Sequence, residues 1–137
     1  MAVIKCSVGL FGATLDISRV TREIEVIPTS TWRVGDTIGA SGRRRSDSAW
    51  KFAIEKQGVT AVAPVLEALL EVLEPRFAAF LDVIRSQQAE VEFACVVYVD
   101  DDLVPALQIP NSALQRMAQC GADLDIDLYP NPFEPES

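Results

Sequence analysis

The sequence predicts an α+β fold: a single domain with a mixed, mostly antiparallel sheet of about five strands and helices packed on one face. Three observations carry this. Strand-like and helix-like stretches follow one another in the order β-α-loop-β-α-α-β-β-α-β, with no internal repeat and no linker. The run over residues 90–99, three aspartates and a second apolar run over 104–109 read as a hairpin, which brings antiparallel pairing. The length of 137 residues, 49% hydrophobic and 23% charged, suits one core that needs neither disulfide nor metal.

Residues 3–11 form the first expected strand. Val3, Ile4, Val8 and Leu10 favour extended backbone, and Gly9 and Gly12 punctuate it. Asp16 or Ser18 caps a short helix with Ile17, Val20 and Ile24 on one side, and Pro28 ends that unit. Residues 30–48, rich in Gly, Ser and Arg, read as a long irregular loop. Over residues 49–56, Trp50, Phe52 and Ile54 alternate with Lys51, Ala53 and Glu55, a period of two with one buried face.

Thr60 to Leu73 reads as a helix whose Val62, Leu66, Leu69 and Leu73 share a face; Pro64 is tolerated only near its start. After Glu74-Pro75, Phe77, Phe80, Leu81 and Ile84 mark a second helix. Residues 90–99 are the clearest strand, Asp100-Asp101-Asp102 turns the chain, and 104–109 returns beside it. Ser112 with Gln115 reads as a capping box, Gly121 stops that helix, and 123–129 is the last strand. The domain thus spans 1–129. The acidic tail 130–137, with three prolines in eight residues, is expected to be flexible.

The formal charge is −8, from 12 basic and 20 acidic residues, which argues against nucleic-acid binding and against an anionic membrane surface. Three cysteines without a C-x-x-C spacing give no support for a zinc or redox site and suit a reducing cytoplasm. The start carries no signal-peptide pattern, and no window approaches the roughly 20 apolar residues of a membrane helix. A cytoplasmic protein is expected.

The chain contains no histidine, so a Ser-His-Asp or Cys-His centre, or a His-containing zinc site, cannot form within it. No catalytic motif, metal or cofactor is expected. Asp123, Asp125 and Asp127 are spaced at two, with Glu134 at the twelfth position, as in a calcium loop. Leu128 stands where such a loop needs glycine, and the alternation with Leu124 and Ile126 reads as an acidic strand face instead. Asp100, Asp101 and Asp102 read as a turn. Arg43-Arg44-Arg45 follows Gly39-Ala40-Ser41-Gly42 without the Lys-Ser/Thr of a phosphate loop. It reads either as a solvated loop or as an anion site with Asp36 as polar orienter. Trp32 reads as a core or lid residue or, if exposed, as an interface anchor beside Arg33.

Pro28-Thr29, Gly35-Asp36, Ser48-Ala49-Trp50 and the ending Asp123-Leu124-Asp125-Ile126-Asp127-Leu128-Tyr129, in this order and spacing, resemble a bacterial family catalogued as domain of unknown function 4279. The resemblance covers residues 3–129 and implies an intracellular α+β domain. It carries no activity and makes no residue catalytic.

Two readings of function remain. In one, the chain is a non-enzymatic module of the immunity or antidote type, masking a basic partner with Asp100, Asp101, Asp102, Asp123, Asp125 and Asp127. In the other, the Gly- and Arg-rich loop 35–50 holds a small anionic ligand through Asp36, Arg43, Arg44, Arg45 and Trp32, as a binding domain or an enzyme. A homo-oligomer formed through exposed apolar surface is a third expectation.

Overall fold

The computed structural model describes residues 2–99 and 104–130. The elements are β1 (Val3–Gly12), α1 (Ile17–Ile24), β2 (Ser30–Trp32), β3 (Ser48–Gln57), α2 (Ala63–Leu73), a 3-10 turn (Glu74–Arg76), α3 (Phe77–Ser86), β4 (Glu90–Val99), α4 (Asn111–Gln119) and β5 (Asp123–Pro130). The sheet runs in the order β2-β3-β1-β4-β5. The β2–β3, β3–β1 and β1–β4 pairs are antiparallel, and β4–β5 is parallel. The fold is therefore α+β with a mostly antiparallel sheet, as the sequence predicts.

One face of the sheet makes the core. Ile4, Cys6, Val8 and Leu10 of β1, Trp50 of β3, and Phe93, Cys95 and Val97 of β4 are fully buried in one cluster with residues of all four helices. In α1, Ile17, Val20 and Ile24 supply the buried stripe, and the Asp16 carboxylate accepts from the Arg19 N–H at 3.1 Å. That bond satisfies a donor left free at the helix start. Helix α2 begins with Pro64 in its first turn and buries Val65, Leu66, Leu69, Leu70 and Leu73. Phe77, Phe80 and Val83 do the same for α3. No helix of the described residues is long and apolar enough to cross a membrane.

Three expectations are corrected. Residues 104–109 form no hairpin strand. Pro105 offers no N–H, and Ala106 makes only an isolated bridge to Ala61, while the place beside β4 is taken by β5. The fifth strand is instead β2, inside the segment read as irregular. Ser112 does not cap α4. The helix starts at Asn111, Pro110 is the cap residue, and its carbonyl accepts from Ala113 and Leu114 at 3.0 and 3.1 Å. Gly121 does end that helix, at φ 65°. The turn expected at Asp100–Asp102 lies outside the described residues, as does the expected tail beyond Pro130, which closes β5 opposite Val99.

Candidate functional site

The second face of the sheet carries no helix among the described residues, and the strand register fixes what it presents. Side chains alternate between faces along a strand, so every second residue of each strand belongs here. Reading across β2-β3-β1-β4-β5 gives the row Ser30, Lys51, Gly9, Glu92, Asp123. The next rows are Ala53, Ser7, Ala94, Asp125, then Glu55, Lys5, Val96, Asp127, then Gln57, Val3, Tyr98, Tyr129. At the opposite end lie Trp32, Ala49, Phe11 and Glu90.

This face is polarised. Asp123, Asp125, Glu92 and Glu90 are exposed, and Asp127 is half-buried, so the β4–β5 half is acidic. The Asp127 carboxyl is pushed above its ordinary value, first by a hydrogen bond shared with Asp125. Like charges spaced at two on a strand compete for ionisation. The β2–β3 half holds cations around an aromatic corner at one end and the exposed Glu55 toward the other. Arg45 stacks on the Trp32 ring at 3.8 Å from its centroid, Lys51 lies 5.8 Å away, and Phe11 packs against the same indole at 6.2 Å. A guanidinium on an indole face is held by the ring's electrostatic quadrupole. Tyr98 and Tyr129 form a second aromatic pair, 6.0 Å apart, at the opposite corner.

Gly9 shapes the space between the corners. A Cβ there would stand 2.7 Å from two atoms of the Phe11 ring, so glycine lets that ring lie down over the strand.

The Gly- and Arg-rich segment after Trp32 is a folded hairpin. Gly35 N–H donates to Arg45 O at 2.8 Å, Arg45 N–H to Asp36 O at 2.7 Å, and Ile38 N–H to Arg43 O at 2.7 Å. The Asp36 carboxylate accepts the Arg33 N–H at 2.8 Å while the Asp36 N–H donates to Arg33 O at 3.0 Å, a reciprocal pair that closes the turn before the hairpin. Gly35 sits at φ 90°, where a side chain is strained. Arg44 donates to Gly35 O at 3.0 Å, within its own loop. Thus Asp36, Arg44 and Arg45 shape the hairpin and the indole platform, while Arg43 is exposed near its tip. Arg45 and Trp32 are brought together.

The short motifs read from the sequence now have physical roles. Thr29 Oγ1 accepts the Ala53 N–H at 2.9 Å and prolongs the β2 edge. Ser48, the one buried polar residue among those described, accepts the Val34 N–H at 3.0 Å. Trp50 is fully buried, and its indole N–H donates to Thr21 Oγ1 at 3.0 Å. The first two contacts fasten β2 and the hairpin to β3, and the third ties β3 to α1.

Two features escaped sequence reasoning. A groove of about 410 Å³ between α2 and α4 is lined by Glu67, Glu71, Glu74 and Arg116 among others. Arg116 bridges it to Glu74 at 2.6 Å and lies 4.9 Å over the Phe77 ring. The second is the pair Cys6 and Cys95, directly opposite on β1 and β4, with sulfurs 3.3 Å apart. The hydrogen bond to Cys95, and then burial, hold the Cys6 thiol above its ordinary value. Neither feature had a sequence signal, because both depend on residues far apart in the chain. All three cysteines are free and buried. Among the described residues, no group of three or more Cys, Asp or Glu is placed to hold a metal ion.

Comparison with curated proteins and with solved structures returned no match. A family model described as Domain of unknown function (DUF4279) matches residues 2–131, nearly the whole chain, and the protein belongs to that family.

Proposed function

We propose that the chain is a non-enzymatic protein-binding module of the immunity or antidote type, working in a bacterial cytoplasm and masking a basic partner. The observation that supports this reading is the acidic half of the open sheet face. Asp123, Asp125 and Asp127 stand in one row along β5, with Glu90 and Glu92 on β4 beside them. Held on a rigid strand rather than a loop, these carboxylates need no ordering when a partner arrives. Their field would steer a cationic surface toward the face and make association salt-dependent. The absence of histidine from the whole chain fits a role without acid–base chemistry.

The test is a tagged pull-down from bacterial lysate at low and physiological salt, repeated with Asp123→Asn, Asp125→Asn and Asp127→Asn combined. A stoichiometric basic protein retained by the native chain and lost with the triple variant supports the reading. Recovery of no basic partner, or equal recovery with the variant, refutes it. The anionic-ligand alternative gains less from the arrangement, since Arg44 and Arg45 are already engaged within the hairpin and on Trp32.

A further inference from the structure

We propose that the open sheet face is a docking surface for a second copy of this chain, packed face to face about a two-fold axis parallel to the strands. This goes beyond the basic-partner reading: it requires only the charges the chain itself carries, and the two occupants would compete for the same aspartates.

The charge layout selects this occupant. In the order β2-β3-β1-β4-β5, β1 is the central strand. Rotation about an axis along β1 lays β3 of one copy over β4 of the other, and β2 over β5. Lys51 on the β2–β3 side then faces Glu92 and Asp123 of the second copy, and the reciprocal contact forms at once. Such an isologous contact pairs Lys51 of each copy with the Glu92–Asp123 row of the other, while Asp125 and Asp127 face no cation. The other in-plane axis, across the strands, would set each acidic strand over itself and is opposed by like charge. Lys5 lies on the favoured axis and so faces its own counterpart, a like-charge contact that Glu55, opposite it within each sheet, offsets.

The relief of the face fits a flat partner. Its middle carries Ala53, Ser7, Gly9 and Ala94, and the Phe11 ring lies over Gly9 instead of standing off the sheet. A second sheet can therefore approach to about 10 Å, the usual spacing of packed sheets. Strands about 4.8 Å apart and of this length offer a face of roughly 600 Å² per copy. Two copies would bury about 1,200 Å², the lower end of specific interfaces. The aromatic pairs Phe11–Trp32 and Tyr98–Tyr129 supply apolar anchors at its two ends.

Light scattering coupled to gel filtration, with the full chain at low and high salt, tests this. The native chain is expected to show twice the monomer mass at low salt and to dissociate as salt rises. Lys51→Glu alone and Glu92→Lys alone should each weaken the dimer at least about tenfold. The double variant Lys51→Glu/Glu92→Lys, and an equimolar mixture of the two single variants, should dimerise again. Circular dichroism melting checks that each variant is folded, and the restoring combinations keep the test decisive if one single variant is not. A native chain that stays monomeric at low salt overturns the inference. So does a dimer that survives both single reversals, or one that neither combination restores. A monomeric chain that still captures a basic protein would overturn this inference and leave the proposed function standing. A dimer with no basic partner would do the reverse.

Discussion

The two faces of the sheet are made by the same strands, one residue out of step, and they differ in almost every property. On the helix side, Ile4, Cys6, Val8 and Leu10 are all fully buried. On the open side, the interleaved residues of the same strand are Lys5, Ser7, Gly9 and Phe11, and the flanking strands add Lys51, Glu92 and the β5 aspartates. The period of two thus separates two tasks within one strand. Residues of one parity form the core, and those of the other are mostly accessible, apart from Val3 and Ala49, which are buried. Substitutions should therefore sort by parity rather than by position along the chain.

The largest effect belongs to the closed face. Phe93→Ala removes a fully buried ring from the centre of the core and should lower stability by about 3–5 kcal/mol, read from the denaturant midpoint. A loss under about 1 kcal/mol would mean that the closed face does not carry the fold.

Below this comes an alkaline loss at Cys120. Burial pushes its thiol up to about 11, against a smaller opposing pull from Arg116. The neutral thiol is the form the folded state prefers, and the unfolded chain ionises first. Stability is therefore full below pH 9.0 and declines as pH rises toward about 11. Denaturation curves of the native chain and Cys120→Ala, taken at neutral pH and above pH 10, should converge as this contribution disappears.

On the open face the effects shrink. Gly9→Ala forces the Phe11 ring off the strand and should cost about 1 kcal/mol. In the Phe11→Ala background the same change should cost much less, because the clash is gone; equal costs in both backgrounds would break the link between Gly9 and that ring. Smallest of all, Asp125→Asn should bring the Asp127 carboxyl back toward its ordinary value, followed by NMR titration of the side-chain carbon, with no measurable change in stability. An unmoved Asp127 titration would show that the two carboxyls are independent.

Much of this was legible from the chain. The alternation at Trp50, Phe52 and Ile54 located β3, the spacing of Leu66, Leu69 and Leu73 located α2, and Asp16 was readable as a cap because its short carboxylate acts locally. What failed was non-local. The run at 104–109 looks extended, but whether it pairs depends on which strand reaches β4 first, and β5 arrives through α4 in parallel. Three residues of β2 are too few for periodicity to register, and they are defined by bonds from β3 and the hairpin. The sequence marked Asp123, Asp125 and Asp127 as one acidic face, while the placement of Glu92 beside them and of Lys51 across Gly9 is a fact of register alone.

The central position of β1 has a consequence for how the protein is made. β1 is synthesised before both of the strands that flank it, β3 and β4. One neighbour ends at Gln57, paired with Val3, and the other holds Tyr98, also opposite Val3. Until those residues have been synthesised, Ile4, Cys6, Val8 and Leu10 wait with both strand edges unpaired. Nascent chains stalled before β4 should therefore be the species that chaperones hold, and folding during translation should complete only when the last third of the chain has emerged.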